Sequence, residues 1–335
     1  METITNLLRP DDGFGENYKY LIYTLMYAEF NKCEFVYTPF KVMRHNYNDD
    51  PEYINKKEKM INCVENFKPF LFENAHSGAF SSEKSNGSMR IFDAQRCKTE
   101  TPGVTPRTLN IFDLLQFYHQ NVEWCSQSNS LKMLKSLFYL DKVNLYDTSI
   151  VNIAIHIRRI NPHDYIVVDQ NSKDRVPMPD NLFQEILNNP ITAIQLPGMD
   201  VPRDLYINVI QQLEQSYPNA KFHIYSQGSV NDFKVFEKDN TMLHLNECLE
   251  TTFQQLVFAD ILVTSPSSLS YVAGLLSNNI IYYVQCLNPP LPHWNIIQNY
   301  KSSKMKHRFS SIDNNTLAIT DFTYDPCSNT FEKLL

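Results

Sequence analysis

The chain has 335 residues, 43% of them hydrophobic and 20% charged, with a net charge of −7 at pH 7. That length exceeds what one hydrophobic core usually serves, so two domains are expected. The composition excludes a disordered chain, and the negative balance argues against a sequence-independent nucleic-acid binder, which needs a broad basic surface, while leaving room for local basic clefts. Met1–Asn6 is not a basic segment leading into an apolar core, and no later apolar run approaches bilayer length. The expectation is a soluble chain with no membrane span. Seven cysteines, Cys33, Cys63, Cys97, Cys125, Cys248, Cys286 and Cys327, are scattered without a Cys-x-x-Cys pair. This argues against structural zinc or a disulfide framework, and for reduced thiols in a cytoplasmic setting.

In chain order, the apolar segment Ile4 to Leu8 leads into Pro10-Asp-Asp-Gly-Phe-Gly15. Tyr18, Leu21, Ile22, Leu25 and Met26 then recur at helical spacing, and Phe35-Val-Tyr37 reads as the next strand. Together they make a strand, Gly-turn, helix, strand unit. From Asn74 to Arg107 the chain is rich in Ser, Gly, Thr and Pro and reads as a long loop or pair of loops. A strand at Val151–Ile157 precedes a helix at Arg203–Tyr217, whose Leu205, Val209 and Leu213 share one face. A strand at Lys221–Tyr225, a short helical segment from Asn231 and a strand at Met242–Leu245 follow. The series closes with a helix at Glu250–Phe258, a strand at Ile261–Thr264, a helix at Ser267–Leu276 and a strand at Ile280–Val284. Such alternation predicts an α/β fold with a parallel sheet covered on both faces. The predicted domains are 1–148 and 149–335, the second ending in a C-terminal tail.

In a sheet of this type, ligands lie beyond the carboxyl ends of the strands. The loops after Ile157, Tyr225 and Thr264 should therefore converge. The first carries His156, Arg158 and Arg159, then Asn161-Pro-His-Asp-Tyr165; the second carries Ser226-Gln-Gly228; the third carries Thr264-Ser-Pro-Ser-Ser268. A buried strand ending in paired arginines suits a phosphate, because a guanidinium is always charged and can hold two phosphate oxygens at once. Read alone, Arg158-Arg159 is a surface or ion-pair feature, and Ser267 or Ser268 is equally the N-cap of its helix. Read together, they offer arginines and a helix start to one anion. Gly13-Phe-Gly15 is too short for a dinucleotide fingerprint and either makes a tight turn or lets backbone approach a ligand. No Asp-x-Asp is present to hold a divalent cation against a diphosphate, and the nine histidines show no metal-ligand spacing. Arginines are the alternative stabiliser of a departing diphosphate.

The order and spacing of His156-Ile-Arg-Arg159, Asp260-Ile-Leu-Val-Thr-Ser-Pro-Ser-Ser-Leu-Ser-Tyr271 and Gly13-Phe-Gly15 resemble a known enzyme family. It comprises the GDP-fucose-dependent fucosyltransferases with a His-x-Arg-Arg motif: the α1,2- and α1,6-enzymes and, more distantly, the protein O-fucosyltransferases. Soluble bacterial and large-DNA-virus members belong to this set. The resemblance covers about 150–290 and is looser at the N-terminus. It implies a GT-B fold of two Rossmann-like lobes, with the donor mainly on the C-terminal lobe and the acceptor on the other. By the same resemblance, His156 would help recognise guanine, Arg158 would bind the β-phosphate, Arg159 would support the geometry and Ser268 would meet the phosphate from the opposite side.

Gly13, Phe14, Gly15, Asn17, Ser226, Gln227, Thr252 and Ser267 would complete the donor site. Transfer would invert the anomeric carbon without metal or cofactor, moving fucose from GDP-fucose to a hydroxyl of a glycan or glycoprotein. Three departures stand out. The amide pair after Gly-x-Gly reads Glu16-Asn17, the acidic guanine contact is Thr252, and the acidic residue after Arg-Arg is displaced to Asp164. Glu16, His163 and Asp164 are the candidates to accept the acceptor's proton, Asp164 ranking first by its nearness to the arginines. Two alternatives stay open: transfer of another sugar from GDP or UDP, and a nucleotide-sugar or glycan-binding protein without catalysis.

Overall fold

The computed structural model describes residues 2–9, 12–46, 50–62, 107–159, 166–169, 175–177, 201, 203–284, 288–297, 305–313, 316–325 and 330–333. The chain divides into two compact units. One comprises Met1–Leu145, Val272–Asn278 and Leu291–His293; the other comprises Tyr146–Tyr271, Asn279–Pro290 and Trp294–Leu335.

In the first unit, β1 (Thr3–Thr5) leads to α1 (Phe14–Asn31) and β2 (Glu34–Val36), then to α2 (Tyr53–Met60) and β3 (Arg107–Thr108). Three helices follow: α3 (Ile111–Gln120), α4 (Val122–Gln127) and α5 (Asn129–Tyr139). β1 lies between β2 and β3 and is parallel to both. The expected strand over Ile4–Leu8 stops early because Asn6 exchanges two side-chain hydrogen bonds with the backbone of Thr38, at 2.8 and 2.9 Å, in place of a ladder. Of the predicted loop Asn74–Arg107, only Arg107 is described, and it opens β3.

α1 is buried nearly all round, with Tyr18, Leu21, Ile22, Leu25 and Met26 at 0% exposure. A helix buried on every side is the middle of a core, and α1 packs against α3, α5, β1 and β2. Tyr23 stacks on Tyr118 of α3 with centroids 4.0 Å apart. α1 ends where Lys32 turns left-handed, φ 56°, and its N–H returns to the carbonyls of Ala28 and Glu29. α5 is capped twice: the Ser128 hydroxyl accepts from Leu131 N at 3.2 Å, and the Glu29 carboxylate accepts from Asn129 N and Ser130 N at 3.0 and 2.7 Å. A carboxylate there meets unpaired N–H groups and the positive end of the helix dipole.

The second unit contains β4 (Asn152–His156), β5 (Ile166–Asp169), β6 (Arg175–Pro177), α6 (Arg203–Ser216), β7 (Lys221–Ser226), a 3-10 turn at Val230–Phe236 and β8 (Thr241–Leu245). Then come α7 (Leu249–Phe258), β9 (Ile261–Val263), α8 (Ser268–Leu276), β10 (Ile280–Tyr283), β11 (Asn295–Ile296), β12 (Met305–Asp313), β13 (Thr316–Asp325) and β14 (Thr330–Lys333). α8 begins in this unit and ends among the residues of the first.

Six strands form one wholly parallel sheet in the order β11-β10-β9-β4-β7-β8. β4 is thus flanked by β9 and β7, and every one of its residues is buried. The pleat sorts β4 by alternate residues. Ile153, Ile155 and Ile157 join Phe222, Ile224 and Val263 in one cluster beneath Tyr206, Val209, Ile210 and Leu213 of α6 and Phe233 and Phe236 of the 3-10 turn. Asn152, Ala154 and His156 face the other way, in register with Lys221, His223 and Tyr225 of β7. The mixed α/β fold and its parallel sheets are as expected. Within the predicted C-terminal tail, β12 to β14 build most of a second sheet, β14-β13-β12-β5-β6, antiparallel except between β12 and β5.

Candidate functional site

Because β9, β4 and β7 are adjacent and parallel, their carboxyl ends share one edge of the sheet. Side-chain bonds tie the three exits together there. The Ser226 hydroxyl donates to Ile157 O at 2.7 Å, joining the β7 and β4 exits. The Ser265 hydroxyl lies 2.8 Å from His156 Nδ1, joining the β9 and β4 exits. Ser265 is fully buried and its partner Ser270, on the first turn of α8, is too; Ser265 N donates to Ser270 Oγ at 3.2 Å. His156 is 8% exposed, and burial together with the Arg158 charge drives its pKa down to about 3. The imidazole is therefore neutral at physiological pH, held through Nδ1, with Nε2 as its other polar atom.

The alternation of β4 carries into the two arginines and gives them different surroundings. Arg159 follows Ile157 onto the α6 side, where its Nη1 pairs with Asp232 Oδ2 at 2.6 Å and its guanidinium stands 5.9 Å from the Phe233 ring. Asp232 also accepts from the Ser229 N–H and hydroxyl, at 2.8 and 2.9 Å. The Ser229 amide, then Arg159, hold the Asp232 carboxyl down to about 2. Gly228 is required at this point: its φ is +129°, and a Cβ there would lie 2.3 Å from Arg159 Nη1 and 2.9 Å from Asp232 Oδ2. Arg158 lies beside His156, whose proton affinity its charge lowers, and is partly exposed.

Ser267 is the cap that the simpler reading expected: its hydroxyl accepts from Leu269 N at 3.3 Å, and the residue is buried. Ser268, partly exposed, opens α8. Gln227 is exposed between Ser226 and Gly228. Thr252 sits partly buried on the first turn of α7, its N–H bonded to Cys248 O at 3.1 Å. Asp164 and His163 lie outside the described residues. The partner His156 finds is Ser265, a residue given no role from the sequence; only its place just ahead of the candidate capping serines Ser267 and Ser268 hinted at it.

The N-terminal candidates have other occupations. Gly13 is the N-cap of α1 with ordinary backbone angles, and the space its missing Cβ leaves is filled by the His45 ring, whose Cδ2 would stand 2.5 Å away. Phe14 and Gly15 are buried within the first turn of the helix rather than in the loop before it. Asn17, 1% exposed, spends its whole amide on the preceding loop: Oδ1 accepts from Arg9 N at 2.8 Å, while Nδ2 reaches the carbonyls of Arg9, Asp12 and Gly13 at 2.9, 3.0 and 3.1 Å. Glu16 pairs with Lys19, Nζ to Oε1 at 2.6 Å. Among the described residues, no three His, Cys, Asp or Glu side chains gather as a metal site. None of the described helices is long and apolar enough to cross a membrane.

No protein-family pattern matches the chain, and no curated protein does. Among solved structures, POFUT1 in complex with GDP aligns with a TM-score of 0.35 at 11% identity, over 89% of this chain and 98% of that one. POFUT1 in complex with GDP-fucose aligns with a TM-score of 0.35 at 12% identity over the same shares. Likeness at that TM-score does not assign a function.

Proposed function

We propose that this chain is a GT-B glycosyltransferase with lobes at 1–148 and 149–335, which moves fucose from GDP-fucose to a hydroxyl of a glycan or glycoprotein in a cytoplasmic setting. The observation that carries the reading is the sorting of His156, Arg158 and Arg159 by the pleat of one buried strand. Arg159 is committed to Asp232 and Gly228. Arg158 stands with a neutral imidazole at the common edge of three parallel strands, near the start of α8. A guanidinium in such a place stabilises negative charge that grows on a departing diphosphate.

In this reading the sugar–diphosphate bond breaks ahead of attack, with inversion, and Arg158 takes the role a divalent cation fills elsewhere. Ser267, Ser268 and the first N–H groups of α8 meet the phosphate from the other side. His156 contributes an uncharged ring for the nucleobase, and Gln227 and Thr252 flank the donor. Arg159 acts through Gly228 and Asp232 as a positioning residue. Gly13, Phe14, Gly15 and Asn17 shape the N-terminal loop. Little base catalysis is demanded; Asp164 remains the proposed proton acceptor, ahead of Glu16, whose carboxylate is engaged by Lys19.

Melting the protein with a nucleotide panel tests the donor. GDP and GDP-fucose should raise the melting temperature and UDP should not. Arg158→Ala should lower transfer by about 10²- to 10³-fold, the scale for removing one charge-stabilising donor, with the fold intact by circular dichroism. Near-native turnover in that variant defeats the proposal. Tight GDP binding without hydrolysis or transfer, on incubation with GDP-fucose and a glycan array, points instead to a binding protein.

A further inference from the structure

His223 on β7 and His244 on β8 stand on the face of the sheet that carries His156, with His223 Nδ1 3.0 Å from His244 Nε2. Both ends of this pair are fixed. His223 Nε2 lies 3.2 Å from Asn152 Oδ1, and His244 Nδ1 lies 2.8 Å from Glu247 Oε1. The Asn152 amide can face only one way, since its Nδ2 donates to the carbonyls of Asp147 and Ile150 at 2.8 and 2.9 Å. Its Oδ1 therefore accepts, and His223 Nε2 must carry hydrogen. A carboxylate only accepts, so His244 Nδ1 must carry hydrogen as well. The bond between the rings needs a third hydrogen, and two neutral imidazoles supply only two.

We infer that the His223–His244 pair holds one excess proton in the folded protein, balanced by Glu247, and that this proton positions the Gly228 loop beside Arg159. The positioning half rests on the proposed donor site. The link runs through Asn246, between His244 and Glu247, which sits in the left-handed region with φ 58°. Its side chain clamps Gly228 twice, accepting from Gly228 N at 3.0 Å and donating to Gly228 O at 2.8 Å. Its own N–H donates to Ser226 O at 3.0 Å. Gly228 in turn is the surface against which Arg159 lies.

Among the described residues, Tyr146, Lys221, Tyr225 and Asp260 are further titratable groups near the pair. Tyr225 stacks on His244 at 4.5 Å, Tyr146 meets the His223 ring edge-on at 4.8 Å, and the two hydroxyls are 2.9 Å apart. Asp260 accepts from Asn152 N at 2.8 Å. Burial, then the His244 and Lys221 charges, depress His223 to about 4. The excess proton belongs to the pair as a unit. When pH rises and the excess proton leaves, one bond of the chain is unmade: two lone pairs meet, or a lone pair meets the carboxylate.

The experiment is ring-nitrogen NMR on the full chain labelled with ¹⁵N-histidine, with signals assigned by His223→Gln and His244→Gln, alongside GDP titrations across the same pH range. One imidazolium in the pair at neutral pH is expected. GDP affinity should fall roughly five- to tenfold on the same transition, the scale of one lost hydrogen bond. Glu247→Gln keeps an acceptor without its charge; it should move the transition to lower pH and leave the low-pH affinity unchanged. Two neutral rings at neutral pH overturn the proton. A transition in the rings with constant GDP affinity overturns the positioning. Absence of GDP binding at every pH defeats the donor reading and the positioning with it, while the ring spectrum still decides the proton.

Discussion

The turn at Gly13–Asn17 and the edge where β4 leaves the sheet carry the same kind of sequence signal: small and polar residues between a strand and a helix. Their chemistry is opposite. At the turn each polar group closes on its own neighbourhood, Asn17 on the carbonyls before it and Glu16 on Lys19 one turn ahead. At the β4 edge the bonds run between segments far apart in sequence, His156 to Ser265 and Ser226 to Ile157, and they assemble a surface. Local closure holds a chain in shape, whereas long-range ties hold groups in register with one another, which is what a site needs.

Three measurements would break or sharpen that contrast. Asn17→Ala should cost the most stability, about 3 kcal/mol by urea denaturation, because it deletes a buried amide whose two N–H groups, shared among three carbonyls, and whose oxygen contribute roughly 1 kcal/mol each. A neutral result would mean the turn is not held by its amide. Gly228→Ala at the β4 edge should cost about 2 kcal/mol, the order of one strained backbone residue, and should lower GDP affinity by displacing Arg159. An unshifted melting curve would show that Arg159 gives way freely.

The smallest effect belongs to His156. Its folded pKa, about 3, lies below the ordinary 6.5, so the unfolded chain gains a proton that the folded chain does not, and stability falls as pH drops from 6.5 toward 3. His156→Gln should remove about 1 kcal/mol of the loss seen roughly between pH 6.5 and 5.5. An unchanged acid slope would place the neutral imidazole elsewhere.

Much of the second unit was legible because its periods are clean. Apolar runs such as Ile153-Ala-Ile155 and Phe222-His-Ile224 alternate with helices whose buried positions fall on one face, as Tyr206, Val209, Ile210 and Leu213 do. α3 and α5 carry a comparable pattern in Leu114, Phe117, Leu131, Leu134 and Phe138, yet no strands punctuate that stretch to announce a repeat. β3 is two exposed residues and has no pattern to read. Within the site, the residue types at β4 were legible and their partners were not. Ser265 and Ser267 differ by two places in one serine-rich run, and only the fold sends one to His156 and the other to cap α8. The histidine pair was equally hidden, since its acceptors, Asn152 and Glu247, come from segments almost a hundred residues apart.

The first unit is not a contiguous piece of sequence. Val272–Asn278 and Leu291–His293 belong to it, and Lys135 reaches the Ser277 carbonyl at 2.6 Å from a setting dry enough to lower its pKa. A fragment cut at residue 145 would leave that ammonium without its acceptor and the core open where Val272, Leu275 and Leu276 had been. Synthesis must therefore run as far as His293, well past the end of α5 at Tyr139, before the first unit can close, and until then the nascent chain carries an unfinished core.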